Sequence, residues 1–133
     1  MDDLLKDTIV LHLMKYASLT SVRPYLHCAE TLYDQIKKGK KTIEYRKMTR
    51  YWIKRLCSRV PWKTDHRRSR DMTSTLKVHH VWFVEGYPKN SLPRLEAEII
   101  SLRYNPYGLG QLEIHFANVK EVMCLGMLRS DVS

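Results

Sequence analysis

The chain is short of the residues that would place it outside the cell or in a membrane. It has three cysteines, Cys28, Cys57 and Cys124, an odd number whose spacing matches neither a disulfide framework nor a CxxC metal knuckle. A reducing, cytoplasmic setting is the expectation. No apolar run approaches the ~18 residues needed to cross a bilayer, and stretches such as Val81–Val84 are core-sized. The N-terminus opens on Asp2 and Asp3 where a secretory signal is basic, and Lys15 interrupts the apolar residues behind them, so no leader is expected. Internal repeats and low-complexity tracts are missing too. What remains is a chain of 133 residues, 44% of them hydrophobic. That is enough for one folded core, which argues against both a disordered chain and two full domains.

The sequence does have positive charge, and it is concentrated. The formal net charge is +9, yet 14 of the 23 lysines and arginines fall within residues 37–70, opposed only by Glu44 and Asp65. The rest of the chain is slightly acidic. Charge gathered in this way repels itself in a compact state and favours a polyanionic partner. An anionic membrane surface fits less well, because the stretch lacks a long amphipathic helix to lay on it. Nucleic acid fits best, since Tyr45, Tyr51, Trp52 and Trp62 lie among the cations and offer stacking faces beside phosphate-binding groups. A merely solvated surface is the alternative, as is a docking surface for an acidic protein built on Arg67, Arg68 and Arg70.

Along the chain, Leu5, Ile9, Leu13 and Tyr16 recur at helical spacing, which predicts a helix over residues 3–17 within an N-terminal extension covering 1–22. A domain over 23–133 follows. Tyr25–Cys28 reads as a short strand. Thr31 is a candidate N-cap with Asp34 three residues on, Leu32, Tyr33 and Ile36 form an apolar stripe, and Gly39 ends the helix. Lys41–Lys47 reads as a strand with Thr42, Glu44 and Arg46 on one face. Thr49 caps a second helix over 50–59. Residues 61–75 carry no apolar period and read as a long basic loop. Beyond it Leu76, Val78, Trp82 and Val84 alternate. Leu95, Ala97 and Ile99 then give way to Ile100 and Leu102, a change of phase that predicts a β-bulge. Leu112, Ile114 and Phe116 mark a further strand. The class is α+β, a small β-barrel or strongly curved mixed sheet flanked by helices.

The densest chemistry is Gly39-Lys-Lys41-Thr42-Ile-Glu44-Tyr-Arg46, where a lone carboxylate sits among cations as a helix gives way to a strand. A structural ion pair at the strand start and a guanidinium oriented toward a phosphate or base are both open readings. Residues 26–46, Leu-His-Cys-Ala-Glu-Thr-Leu-Tyr-Asp-Gln-Ile-Lys-Lys-Gly-Lys-Lys-Thr-Ile-Glu-Tyr-Arg, resemble the opening signature of ASCH domains, members of the PUA-like superfamily. The resemblance implies a β-barrel with a cleft suited to RNA or a modified nucleoside, lined by Lys41, Glu44 and Arg46 with Lys40 and Thr42 beside them. Two departures stand out. Ala29-Glu30 replaces a common Lys-Pro pair, and Glu44 occupies the position of a threonine nucleophile in the ASCH-like amidohydrolases that act on acetylcytidine. Strict alternation also sets Lys41 on the face opposite Glu44.

The leading expectation is RNA or single-stranded nucleic-acid binding. Lys37, Lys38, Lys40, Thr42, Arg50, Lys54, Arg55, Trp62, Arg67, Arg68 and Arg70 are the candidate contacts. The alternative is an enzyme in the same cleft, a nuclease or a hydrolase of a modified nucleoside, with Lys41, Glu44 and Arg46 as catalytic residues. His79 and His80, adjacent in a predicted strand, point to opposite faces and do not chelate one metal; His80 reads as a hydrogen-bonded core residue. Neither a metal nor an organic cofactor is expected. Cys28 and Cys57 read as buried fillers.

Overall fold

The computed structural model describes residues 7–14, 30–59, 70–86, 93–106 and 110–123. Six strands and two helices form in the order β1 (Thr8–Leu13), α1 (Leu32–Lys37), β2 (Ile43–Lys47), α2 (Arg50–Leu56), β3 (Arg70–Asp71), β4 (His80–Glu85), β5 (Arg94–Asn105) and β6 (Gln111–Val122). Five strands follow one another across a mixed sheet in the order β1-β4-β5-β6-β2, which curls into a half-barrel, and β3 pairs beside β5. Among the described strand pairs, only β1 and β4 run parallel.

Residues 8–13 are therefore a sheet strand, not part of the helical extension predicted for residues 1–22. The spacing of Ile9 and Leu13 fits both periods, because a step of four residues returns to the same face of a helix and of a strand. Leu11 decides between them. Ile9, Leu11 and Leu13 are all buried while His12 is exposed, the alternation of a half-buried strand. Thr8, Ile9 and Val10 are β-branched, which suits this conformation.

The helices begin where the sequence marks them. Thr31 Oγ1 accepts the Asp34 N–H at 3.1 Å to start α1, and Gly39, at φ 79, lets the chain leave it in the left-handed region. Thr49 Oγ1 accepts the Trp52 N–H at 3.4 Å to start α2. Each helix buries a small apolar face, Tyr33 and Ile36 from α1, Ile53 and Leu56 from α2, against the concave side of the sheet.

The curl has a local cause. Between the pairs Ile99↔Phe116 and Ser101↔His115, β5 carries an extra residue, Ile100, whose side chain is turned out to solvent. Between Glu96↔Lys120 and Glu98↔Ala117 the surplus lies on β6, where Asn118 takes φ 57. Two bulges sharpen the twist of the two longest strands and bend the sheet around its core. That core holds Leu11, Val81, Phe83, Leu95, Leu102, Leu112 and Ile114, all fully buried. The Phe83 and Phe116 rings lie 4.8 Å apart.

Two further expectations change. Part of the predicted basic loop over 61–75 is structured: β3 pairs with Tyr104 and Arg103 of β5, a 3-10 turn covers Thr73–Thr75, and Met72 and Thr75 are buried. The strand read from Leu76 starts only at His80, with Leu76 making a single bridge to Cys57. The predicted strand over Tyr25–Cys28 lies outside the described residues.

The free margin of β2 is occupied. Thr42 and Met48 bond across to β6 and to the residue before it, through Phe116 N–H to Thr42 O at 3.1 Å and Met48 N–H to Gly110 O at 3.3 Å. Alternation then turns the carbonyls of Ile43, Tyr45 and Lys47 outward. Lys41 Nζ takes the first at 2.6 Å, Arg46 the second at 2.9 Å and the Thr49 N–H the third at 2.8 Å.

Candidate nucleic-acid interface

Strand β2 reverses the usual arrangement of a half-buried strand. Tyr45 faces out and is 43% exposed, whereas Glu44 and Arg46 face the interior, opposite the buried Ile114 and Leu112. Glu44 is 6% exposed. A carboxylate that far from water needs charged partners, and it has two. Lys41 Nζ lies 3.2 Å from Oε1, and Arg46 bonds to Oε2. The Arg46 guanidinium also donates to His12 O on β1 at 3.2 Å and lies 5.2 Å from the centre of the Trp52 ring on α2. One buried acid thus organises β1, β2 and α2 at the open side of the half-barrel.

Alternation sets Lys41 against this arrangement, yet Lys41 and Glu44 are in contact. Lys41 precedes the strand: its N–H and that of Lys40 both bond to Gln35 O, an extension of the α1 C-terminus that is free of strand geometry. Of the three candidate catalytic residues, Lys41 lines a groove of about 340 Å³ between the end of α1 and β6 that also holds Lys37, Lys38, Gly39 and Thr42. Glu44 and Arg46 do not line it.

The cations expected to meet phosphate divide into two groups. Lys37 pairs with Glu121 at 2.9 Å, and Lys38 and Lys40 both pair with Glu30, the latter at 2.6 Å. The Glu30 carboxyl is held below its ordinary value by these two lysines, and Lys38 is raised in turn. Glu121 is lowered by Lys37 and by the Tyr33 hydroxyl, which donates to it at 2.9 Å. Burial and that carboxylate push the Tyr33 phenol upward.

Helix α2 differs. Arg50, Lys54 and Arg55 are exposed and form no ion pair with a described carboxylate, and the helix has no acidic residue in its first turn. Arg55 stacks 3.5 Å over the Tyr51 ring and donates to Tyr51 O. Tyr51 and Trp52 meet edge to face at 4.9 Å. With Arg55 they form one wall of a groove of about 380 Å³, the other side being Thr8, Ile9, Val10 and His12 of β1. Misreading β1 as a helix hid that second wall from the sequence. Trp62, Arg67 and Arg68 lie outside the described residues, and Arg70 enters only through its backbone pairing in β3.

The histidine pair also departs from expectation. His79 precedes β4, so alternation does not separate it from His80, and both imidazoles bond through Nδ1 to one carboxylate, Asp7, at 2.8 and 3.0 Å. Burial alone would raise Asp7, but the hydrogen bonds from His79 and His80 outweigh it and hold the carboxyl below its ordinary value. Among the described residues no group of three His, Cys, Asp or Glu side chains is placed to hold a metal ion. Burial pushes the Cys57 thiol up, as suits an inert filler. No described helix is long and apolar enough to cross a membrane. No protein-family model matches the chain, and comparison with curated proteins and with solved structures finds no match.

Proposed function

We propose that this chain is a PUA-like domain of the ASCH type that binds RNA, or another single strand of nucleic acid, along α2 and the groove beside it. The observation that carries the reading is the pairing of cations without described carboxylate partners, Arg50 and Lys54, with the exposed ring of Tyr51 at the edge of a ligand-sized groove. Cations beside an aromatic platform suit a single strand, whose phosphates take the charge and whose bases take the ring. A curled mixed sheet forming a half-barrel with two helices is compatible with a small α+β barrel, which supports this reading.

The test is fluorescence anisotropy with a single-stranded RNA oligonucleotide from ~50 to ~200 mM salt, a range over which phosphate contacts lose affinity steeply. Wild type should weaken steeply, and Arg50→Glu with Lys54→Glu should weaken binding and flatten the slope by about one unit per lost contact. Affinity that is flat with salt removes the reading.

A second reading, hydrolysis of a modified nucleoside, has one observation in its favour: Lys41 both lines the 340 Å³ groove and touches a buried carboxylate. Turnover of acetylated nucleosides by wild type, lost in Glu44→Gln with the fold intact, would favour it. No turnover from any nucleoside leaves the binding module.

A further inference from the structure

A groove of about 310 Å³ lies on the outer face of β4, β5 and β6, lined by His80, Trp82, Glu96, Glu98, Asn118 and Lys120. It shares no lining residue with the α2 groove and meets the groove at Lys41 at Asn118. Its volume falls at the lower end of the ~300–1,000 Å³ typical of small-ligand sites.

We propose that this groove is a second binding site and that it takes a guanine base. His80 and Glu98 are direct cross-strand partners of β4 and β5, on the face turned away from the core. Asp7 Oδ2 holds His80 Nδ1 at 3.0 Å. A carboxylate only accepts, so Nδ1 carries a proton, and in the neutral form of the ring Nε2 is an acceptor on its far side. Glu98 is steadied from the other flank by Asn118, whose amide donates to Oε2 at 3.0 Å from the bulged position in β6. No described residue bonds to Oε1. Two acceptors, one anionic, therefore stand side by side at the groove.

Their complement is a pair of N–H donors in one plane, which guanine presents along N1–H and N2–H₂ and which a guanidinium group also presents. The remaining lining separates the two. Glu96 is already matched by the buried Arg94, at 2.6 Å, and lies 3.9 Å from Lys120. Lys120 is largely exposed at the rim and offers donors to an acceptor. Guanine supplies acceptors in O6 and N7, and its nucleotide supplies a phosphate; a guanidinium supplies only donors, which satisfy Glu98 but offer Lys120 no acceptor. Adenine, with an acceptor at N1, meets the two acceptors with the wrong edge.

The inference extends the nucleic-acid reading and rests on it for the source of the base, so the probe is a free mononucleotide. Binding of guanosine monophosphate and adenosine monophosphate is followed by NMR through the His80 ring and the Lys120 amide, with methylguanidine as competitor. Guanosine monophosphate should bind wild type at least ~10-fold more tightly than the adenine nucleotide, and Glu98→Gln should lose about that factor, the size of one charge-assisted hydrogen bond. Arg50→Glu with Lys54→Glu should leave this binding unchanged. Equal affinity for both nucleotides, unchanged binding in Glu98→Gln, or occupancy by methylguanidine without the nucleotide overturns the inference. Salt-sensitive RNA binding with no guanosine monophosphate in the groove removes this site alone. Mononucleotide binding without oligonucleotide binding removes the nucleic-acid reading and leaves the groove a nucleotide site.

Discussion

The Arg46 side chain on β2 donates to the carbonyl of His12 on β1 at 3.2 Å. These are the two end strands of the sheet, joined here by a guanidinium. The same group holds the buried Glu44 and covers Trp52.

Arg46→Met should therefore cost more than a surface ion pair. It leaves Glu44 buried with Lys41 as its remaining cation and strips donors from two edge carbonyls. Removing one partner of a buried pair costs about 3–5 kcal/mol. Urea denaturation measures it, and a loss below ~1 kcal/mol, the size of an exposed pair, would show that Lys41 alone is enough to compensate the buried acid.

Leu11→Ala tests whether β1 belongs to the core. The side chain is fully buried among sheet residues, so its truncation should cost about 2–5 kcal/mol. Truncation of a dispensable N-terminal extension would leave the midpoint unchanged.

Thr49→Ala removes the cap of α2 and about 1 kcal/mol of stability. It touches no charge, yet it loosens the helix that carries Arg50, Lys54 and Arg55. RNA affinity should fall modestly, with the salt slope kept, in contrast to the charge reversals.

Acid should destabilise the fold below the ordinary carboxylate range. Glu121 is held down by Lys37 and Tyr33, and Asp7 by His79 and His80 despite its burial. A carboxyl whose folded value is depressed adds stability above its unfolded value, and that stability is lost as pH falls through the folded one. Glu121→Gln should remove part of the decline between pH 4.5, the ordinary value, and the lower folded value while leaving the rest. Thermal melts from pH 6 to 3 show the difference between the two curves.

Much of the local punctuation was legible because it depends on neighbours in sequence. Thr31 and Thr49 cap as their hydroxyls dictate, and the change of phase at Ile99-Ile100 is a bulge. The rest depends on distant partners. β1 is fixed by parallel pairing with β4, some seventy residues on, and its four-residue apolar spacing fits a helix equally well. The charge run suggested a continuous cationic wall, but Glu30 and Glu121 neutralise its first three lysines, and Glu121 reaches Lys37 only once β6 lies beside α1. Lys41 and His79 escaped the alternation argument for one reason: each lies just outside the strand to which it was assigned.

The outward carbonyls of Ile43, Tyr45 and Lys47 each have a donor from within the chain. A foreign polypeptide that tried to lengthen the sheet along β2 would have to displace an ammonium, a guanidinium and a backbone amide before gaining its first rung. Along this flank the protein is guarded against fibril growth and strand swapping, and Lys41 and Arg46 serve as gatekeepers whatever else they bind.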